Sequence, residues 1–158
     1  MIDVNVNLSR WPFRRLPFDD TPSLVRKLRK SGVTQAWVGS FDGLLHRDIA
    51  GVNTRLADEC RRFGDGMLLP VRSINPALPD WQEDLQRCRT IHGMHAIRLH
   101  PNYHGYALDS AECGELWSLA AKHRLIVQLV LNMEDVRLHH PLMQVPNVDV
   151  GPLQGLVE

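Results

Sequence analysis

At 158 residues, 44% hydrophobic and 23% charged, the chain has an ordinary globular composition and length for one domain with a sizeable core. Its 18 Lys+Arg balance its 18 Asp+Glu, so there is no basic excess to draw a nucleic acid, and eight histidines add charge only in acid. The apolar run Leu125 to Leu131 is too short to span a bilayer, and the chain does not open on a charged stretch followed by an apolar one; a cytoplasmic protein with no membrane partner is expected.

Val4, Val6 and Leu8 alternate with Asp3, Asn5 and Asn7, which predicts a first strand with one polar face. Thr21-Pro22 reads as the N-cap and N1 proline of a helix that carries Leu24, Val25 and Leu28 and stops at Gly32. Val33 to Gly39 is a second strand. Ile49, Val52, Leu56, Cys60 and Phe63 recur at helical intervals up to Gly64, and Met67 to Val71 is a third strand. Asp80 with Glu83 is spaced like a capping box for a helix ending near Ile91. His95 to His100 is a fourth strand, and Asp109 with Glu112 caps a helix carrying Leu116, Leu119 and Ala120. Leu125 to Leu131 is the fifth strand; a loop with His139, His140 and Pro141 follows, and Gly151 to Glu158 opens one more helix. Cys60, Cys88 and Cys113 fall in helices at spacings that fit neither a disulfide framework nor a CxxC metal site, so they read as reduced core thiols.

Strict alternation of five βα units means an α/β fold with parallel strands. A complete doubly wound sheet and a partial (β/α)8 barrel both fit. Size favours the first, since a barrel takes roughly 250 residues. The distribution of polar side chains favours the second. Asn5 and Asn7 share a face with Asp3, Arg98 shares one with His100 and Asn102, and Gln128 shares one with Asn132. Covering those groups with helices would cost a few kcal/mol for each left unpaired, whereas the inside of a barrel is wet near the C-terminal ends of its strands.

Ile2-Asp3-Val4-Asn5-Val6-Asn7 resembles the Asp-x-His-x-His opening strand of the amidohydrolase-related superfamily, the group containing aminocarboxymuconate-semialdehyde decarboxylase-like enzymes. Ala96-Ile97-Arg98-Leu99-His100-Pro101 resembles that family's fourth strand, and Pro141 to Pro146 its loop to the fifth helix. The resemblance covers essentially the whole chain, and it implies that residues 1–158 form one incomplete (β/α)8 domain. It also implies a divalent metal held by the two opening histidines, a fifth-strand histidine and an eighth-strand aspartate. Here the first pair is Asn5 and Asn7, the third position falls at Val130, and the fourth would lie beyond Glu158. A neutral amide is a poor zinc ligand, so at most a weakly bound zinc or manganese is expected.

As catalytic candidates the resemblance and the strand faces single out His100 and His104, and as substrate-binding candidates Asn5, Asn7, Arg72, Arg98 and Asn132. Arg98 and His100 read either as an anion clamp with a proton donor or as an internal ion pair with Asp3. Asn5 and Asn7 read either as substrate contacts or as a polar plug. Trp11 and Phe13, in Arg10 to Arg15, read as a lid or a packing cluster, and His139 and His140 as loop packing.

The resemblance implies hydrolysis of an amide, lactone or ester of a small carboxylated substrate, with non-oxidative decarboxylation or a catalytically inactive, metal-free binding module as alternatives. Five strands cannot close an eight-stranded barrel, so an open edge is expected, and with it either a homo-oligomer or a longer chain.

Overall fold

In the computed structural model, which describes residues 1–156, six short strands run parallel: β1 (Ile2–Leu8), β2 (Gln35–Ser40), β3 (Leu68–Pro70), β4 (Arg72–Ser73), β5 (Ala96–Leu99) and β6 (Ile126–Leu129). The hydrogen-bonded orders are β1-β2-β3 and β4-β5-β6. β3 falls within the expected third strand, Met67 to Val71, and β4 continues the chain just beyond it. Between them Val71 donates its N–H to Val38 O at 2.7 Å, so the chain pairs with β2 before that residue and with β5 after it. Neighbours therefore follow chain order, as in a barrel, and not the reversing order of a doubly wound sheet.

The outer layer holds α1 (Thr21–Lys30), α2 (Ile49–Phe63), α3 (Trp81–Thr90), the single turn α4 (Pro101–His104) and α5 (Ala111–Lys122). Apolar residues of α1, α2, α3 and α5 close two cores against the outer strand face, and Ala57, Cys88 and Met94 form a third, smaller cluster. Val6, Leu8, Ala36, Val38 and Leu68 meet Val25, Leu28 and Leu56, while Ile97 and Leu99 meet Trp81, Leu85 and Leu116. Each fully buried aliphatic side chain contributes about 1.5–3 kcal/mol. Cys60, Cys88 and Cys113 are free and buried, as expected.

Three caps differ from the sequence reading. Asp20, not Thr21, caps α1 by accepting from Ser23 N, and Ser110, not Asp109, caps α5 by accepting from Cys113 N. Asp80 sits in the left-handed region (φ 61°), from which its side chain makes no capping bond. The fourth strand stops at Leu99, because His100 and Pro101 open α4. Gly151–Leu156 forms a 3-10 turn where a helix was expected; residues 157–158 of that expectation lie outside the described residues.

β1 carries one further departure. Asp3 pairs with Ala36 but Val6 pairs with Val38, so one extra residue is accommodated between them as a bulge. Asp3 thereby shares the helix-side register of Ala36 instead of the inward face of Asn7, and its carboxylate accepts from Asn5 N at 3.0 Å. Val4, released from the alternation, is exposed. The outermost strands leave apolar edges open at Ile2, Val4, Ile126 and Val127. No helix among the described residues is long and apolar enough to cross a membrane.

Candidate active site: the inward face of the strands

Register fixes which side chains face inward. Asn7 pairs with Gly39, Ser73 with Arg98, and Arg98 with Gln128, so these residues line the concave side. Arg98 is 1% exposed and reaches across the interior. Its Nε donates to Gln128 Oε1 (2.9 Å), Nη1 to Val6 O and Asn7 Oδ1 (2.9 Å each), and Nη2 to Val4 O (3.2 Å) and, at 3.5 Å, to Trp37 O. Gln128 Nε2 also donates to Val4 O at 2.8 Å, so the last strand is tied to the first.

Every one of those acceptors is neutral. The expected alternative of an Asp3–Arg98 ion pair does not form, because the bulge turns Asp3 out of phase. Burial pushes the guanidinium pKa down to about 10, which still leaves it charged at neutral pH. Gly39 makes the arrangement possible. A Cβ there would lie 2.6 Å from Arg98 Nη1 and 3.1 Å from Asn7 Oδ1.

A cleft of about 710 Å³ opens over this network, lined by Asn5, Asn7, Phe41, Arg98, Gln128 and Asn132 among others. Four of the sequence candidates, Asn5, Asn7, Arg98 and Asn132, are thus brought to one place. Trp11 packs edge-on against Phe13 (5.6 Å) and Phe41 (5.2 Å) beside it, and His140 stacks on Phe13. These loop residues form a packing cluster at the rim.

His100 follows Arg98 by two residues and is 1% exposed; neither ring nitrogen has a protein partner. Its ring meets that of His104 edge-on at 5.6 Å. Burial first, then His104 and Arg98, push its pKa down to about 3, so the ring is neutral at physiological pH rather than titrating near neutrality as its type suggested. His104 is the last residue of α4. Its Nε2–H donates to Gly43 O at 2.8 Å, which leaves Nδ1 without a partner, and burial lowers its pKa as well. Neither imidazole lines the cleft itself.

Arg72 is the candidate the structure sets apart. It pairs with Ile97 and so faces the helix layer, away from Arg98. Asn53 and Ser73 had no motif to mark them. Asn53, fully buried on α2, donates Nδ2 to Ser73 O (2.8 Å) and accepts Ser73 N–H (2.9 Å), which fixes β4 beside the inward face. Gly39 could have been flagged as a glycine inside an apolar strand, a sign of close approach.

The family model described as Amidohydrolase matches residues 8–149. The chain belongs to the amidohydrolase family. Solved structures with the same fold include 5-carboxyvanillate decarboxylase from Novosphingobium aromaticivorans, with bound manganese and 3-methoxy-4-hydroxy-5-nitrobenzoic acid (10% identity, TM-score 0.57, 89% of this chain, 53% of that one). A 2,6-dihydroxybenzoate decarboxylase complexed with 2,6-dihydroxybenzoate matches at 13% identity and TM-score 0.62 over 86% of this chain and 52% of that one. The 2,6-dihydroxybenzoate decarboxylase from Rhizobium matches at 12% and 0.62 over 86% and 51%. This amidohydrolase chain thus spans about half the length of the solved structures it matches, and its strands are part of a TIM barrel. No curated protein matches it.

The side chains of this amidohydrolase do not fit the divalent ion that its family implies. No three His, Cys, Asp or Glu groups converge among the described residues. Asn7 Oδ1, where the resemblance implies a metal-binding histidine in the family, accepts instead from a guanidinium whose charge repels a cation.

Proposed function

We propose that the inward face binds a small carboxylated molecule and that the reaction is its non-oxidative decarboxylation. The observation that carries this reading is the buried Arg98 charge, which hydrogen-bonds only neutral acceptors, is attracted by Asp3 without forming an ion pair, and lies against an open cleft. An incoming carboxylate competes with the neutral oxygens of Asn7 and Gln128 for the same N–H groups and is favoured by charge. It also raises the pKa of His100 toward its ordinary value, which couples proton uptake to binding. When the C–CO2 bond breaks, a proton must replace the carboxylate, and His100, buried two residues beyond Arg98, is the group proposed to deliver it.

The carboxylated benzoates named for the related structures make this substrate class reasonable. Hydrolysis of an amide, lactone or ester, ranked first from the sequence, becomes the second reading, supported by the family's name. The test is incubation of the purified protein with 2,6-dihydroxybenzoate and related acids, following CO2 release alongside hydrolysis of matched esters. CO2 release that is lost in His100→Gln supports the proposal. Ester hydrolysis without CO2 supports the second reading, and binding with neither supports a binding module. Stoichiometric zinc or manganese in the same preparation would overturn the view that Arg98 supplies the positive charge of the site.

A further inference from the structure

The oxygens that hold Arg98 differ in how easily each can be given up. Val4 O, Val6 O and Trp37 O are carbonyls of the strands themselves and cannot swing away. Asn7 Oδ1 ends a short side chain, and the space around it is filled: a Cβ on Gly39 would lie 3.1 Å from that oxygen. Gln128 Oε1 ends a longer side chain, which is half-buried where Arg98 is 1% exposed, and both residues line the cleft.

The position of the Gln128 amide matters because a guanidinium meets a two-oxygen group best along its Nε–Nη2 edge, where two N–H bonds run parallel. Nε has a single acceptor, Gln128 Oε1 at 2.9 Å. Nη2 is loosely held, by Val4 O at 3.2 Å and Trp37 O at 3.5 Å, the longest bonds in the network. One side chain therefore covers the fork. Since a guanidinium only donates, the group on Nε is the amide oxygen, which takes the place of a carboxylate oxygen without its charge. The other end of the amide, Nε2, donates to Val4 O at 2.8 Å and holds the cover down. Rotation of Gln128 into the cleft frees Nε, releases the Nε2 bond to Val4 O, and leaves Arg98 anchored by Val6 O and Asn7 Oδ1 on Nη1.

We propose that Gln128 is an internal stand-in for the ligand, seated on the Arg98 fork while the cleft is empty and displaced when a carboxylate arrives, so that it sets the affinity of the cleft. This rests on the reading of the cleft as a carboxylate site. The incoming group puts one oxygen on Nε, where Oε1 was, and the other against Nη2. Its apparent affinity is the intrinsic one reduced by the fraction of molecules whose fork is uncovered.

Isothermal titration with 2,6-dihydroxybenzoate at fixed ionic strength, beside urea unfolding of the same proteins, tests this. Gln128→Ala is expected to bind at least about fivefold more tightly than the unaltered protein, because its fork is always free. Its stability falls at the same time, with loss of the bond to Val4 O. A side chain that merely held the strands together would lower affinity and stability alike. Gln128→Glu places a permanent carboxylate on the fork and weakens binding at least about tenfold. Should Gln128→Ala fail to fold, Gln128→Met, which keeps the length without the amide oxygen, takes its place. Affinity unchanged or lower in Gln128→Ala and Gln128→Met overturns the cover and leaves the carboxylate site standing. Absence of binding in every one of these proteins overturns both.

Discussion

Gly39 is where the interior network can be tested most directly. In Gly39→Ala the new methyl would sit 2.6 Å from Arg98 Nη1, a contact that side chains essentially never make, and 3.2 Å from Cζ, which is tight. The guanidinium must move. Overpacking of this kind costs about 1–3 kcal/mol, and losing one buried charge-assisted hydrogen bond adds about 1.5–3 kcal/mol. The lower entropy of an unfolded alanine chain returns about 0.4–1 kcal/mol. A net loss of about 3 kcal/mol is therefore expected in urea unfolding. In an Arg98→Met background the guanidinium contacts are gone and Asn7 Oδ1, at 3.1 Å, is the near neighbour left, so the same change should cost about 1 kcal/mol or less. The double-mutant cycle then shows a coupling that makes up most of the loss. Costs that add to within about 0.5 kcal/mol, as independent sites do, would refute the account of Gly39 as the space for Arg98.

Two other outcomes follow from buried polar groups. His100 has its pKa depressed from 6.5 to about 3 by burial, with His104 and Arg98 adding to the effect, so the unfolded chain takes up the proton first. Stability is therefore held above pH 6.5 and lost as pH falls from there toward 3. This amounts to about 2 kcal/mol between pH 7 and pH 5 from this group, with His104 acting in the same direction. His100→Asn should flatten that slope, and identical slopes in the two proteins would sink the assignment. Asn53→Ala leaves both the N–H and the carbonyl of Ser73 without partners, at about 1–3 kcal/mol each; a loss of about 2–5 kcal/mol in denaturant unfolding is expected, and one below about 1 kcal/mol would argue that water replaces the amide.

The barrel-like order was legible because alternation in three strands outlived every shift of boundary. Arg98, Gln128 and Asn7 do face one interior, and chain-order pairing follows. What failed was phase. Asp3 could be placed on the wrong face because a bulge adds a residue without leaving any local mark in Asp3-Val4-Asn5-Val6. Arg72 could not be given a face for a related reason: the apolar run Met67 to Val71 before it shows no alternation from which to assign its side. Capping was read one residue away at α1 and α5 because Asp20 and Thr21, or Asp109 and Ser110, are equally competent neighbours, and only backbone geometry chooses between them. His100 was singled out as a catalytic candidate. Its type, however, pointed to titration near neutrality, whereas burial and two basic neighbours hold it neutral.

The strut formed by Arg98 and Gln128 also bears on how the open side of the sheet would be covered. Because the last two strands are tied through side chains to the carbonyls of the first, the curvature of the sheet is set within this chain and not by whatever lies across the gap. Any covering element, from this polypeptide or another, therefore meets a template already in its final shape. Ordering of the template adds little to the free energy of such a union. Docking should then resemble the closing of two rigid shells, with little change in sheet hydrogen-exchange protection, rather than folding that waits for its partner.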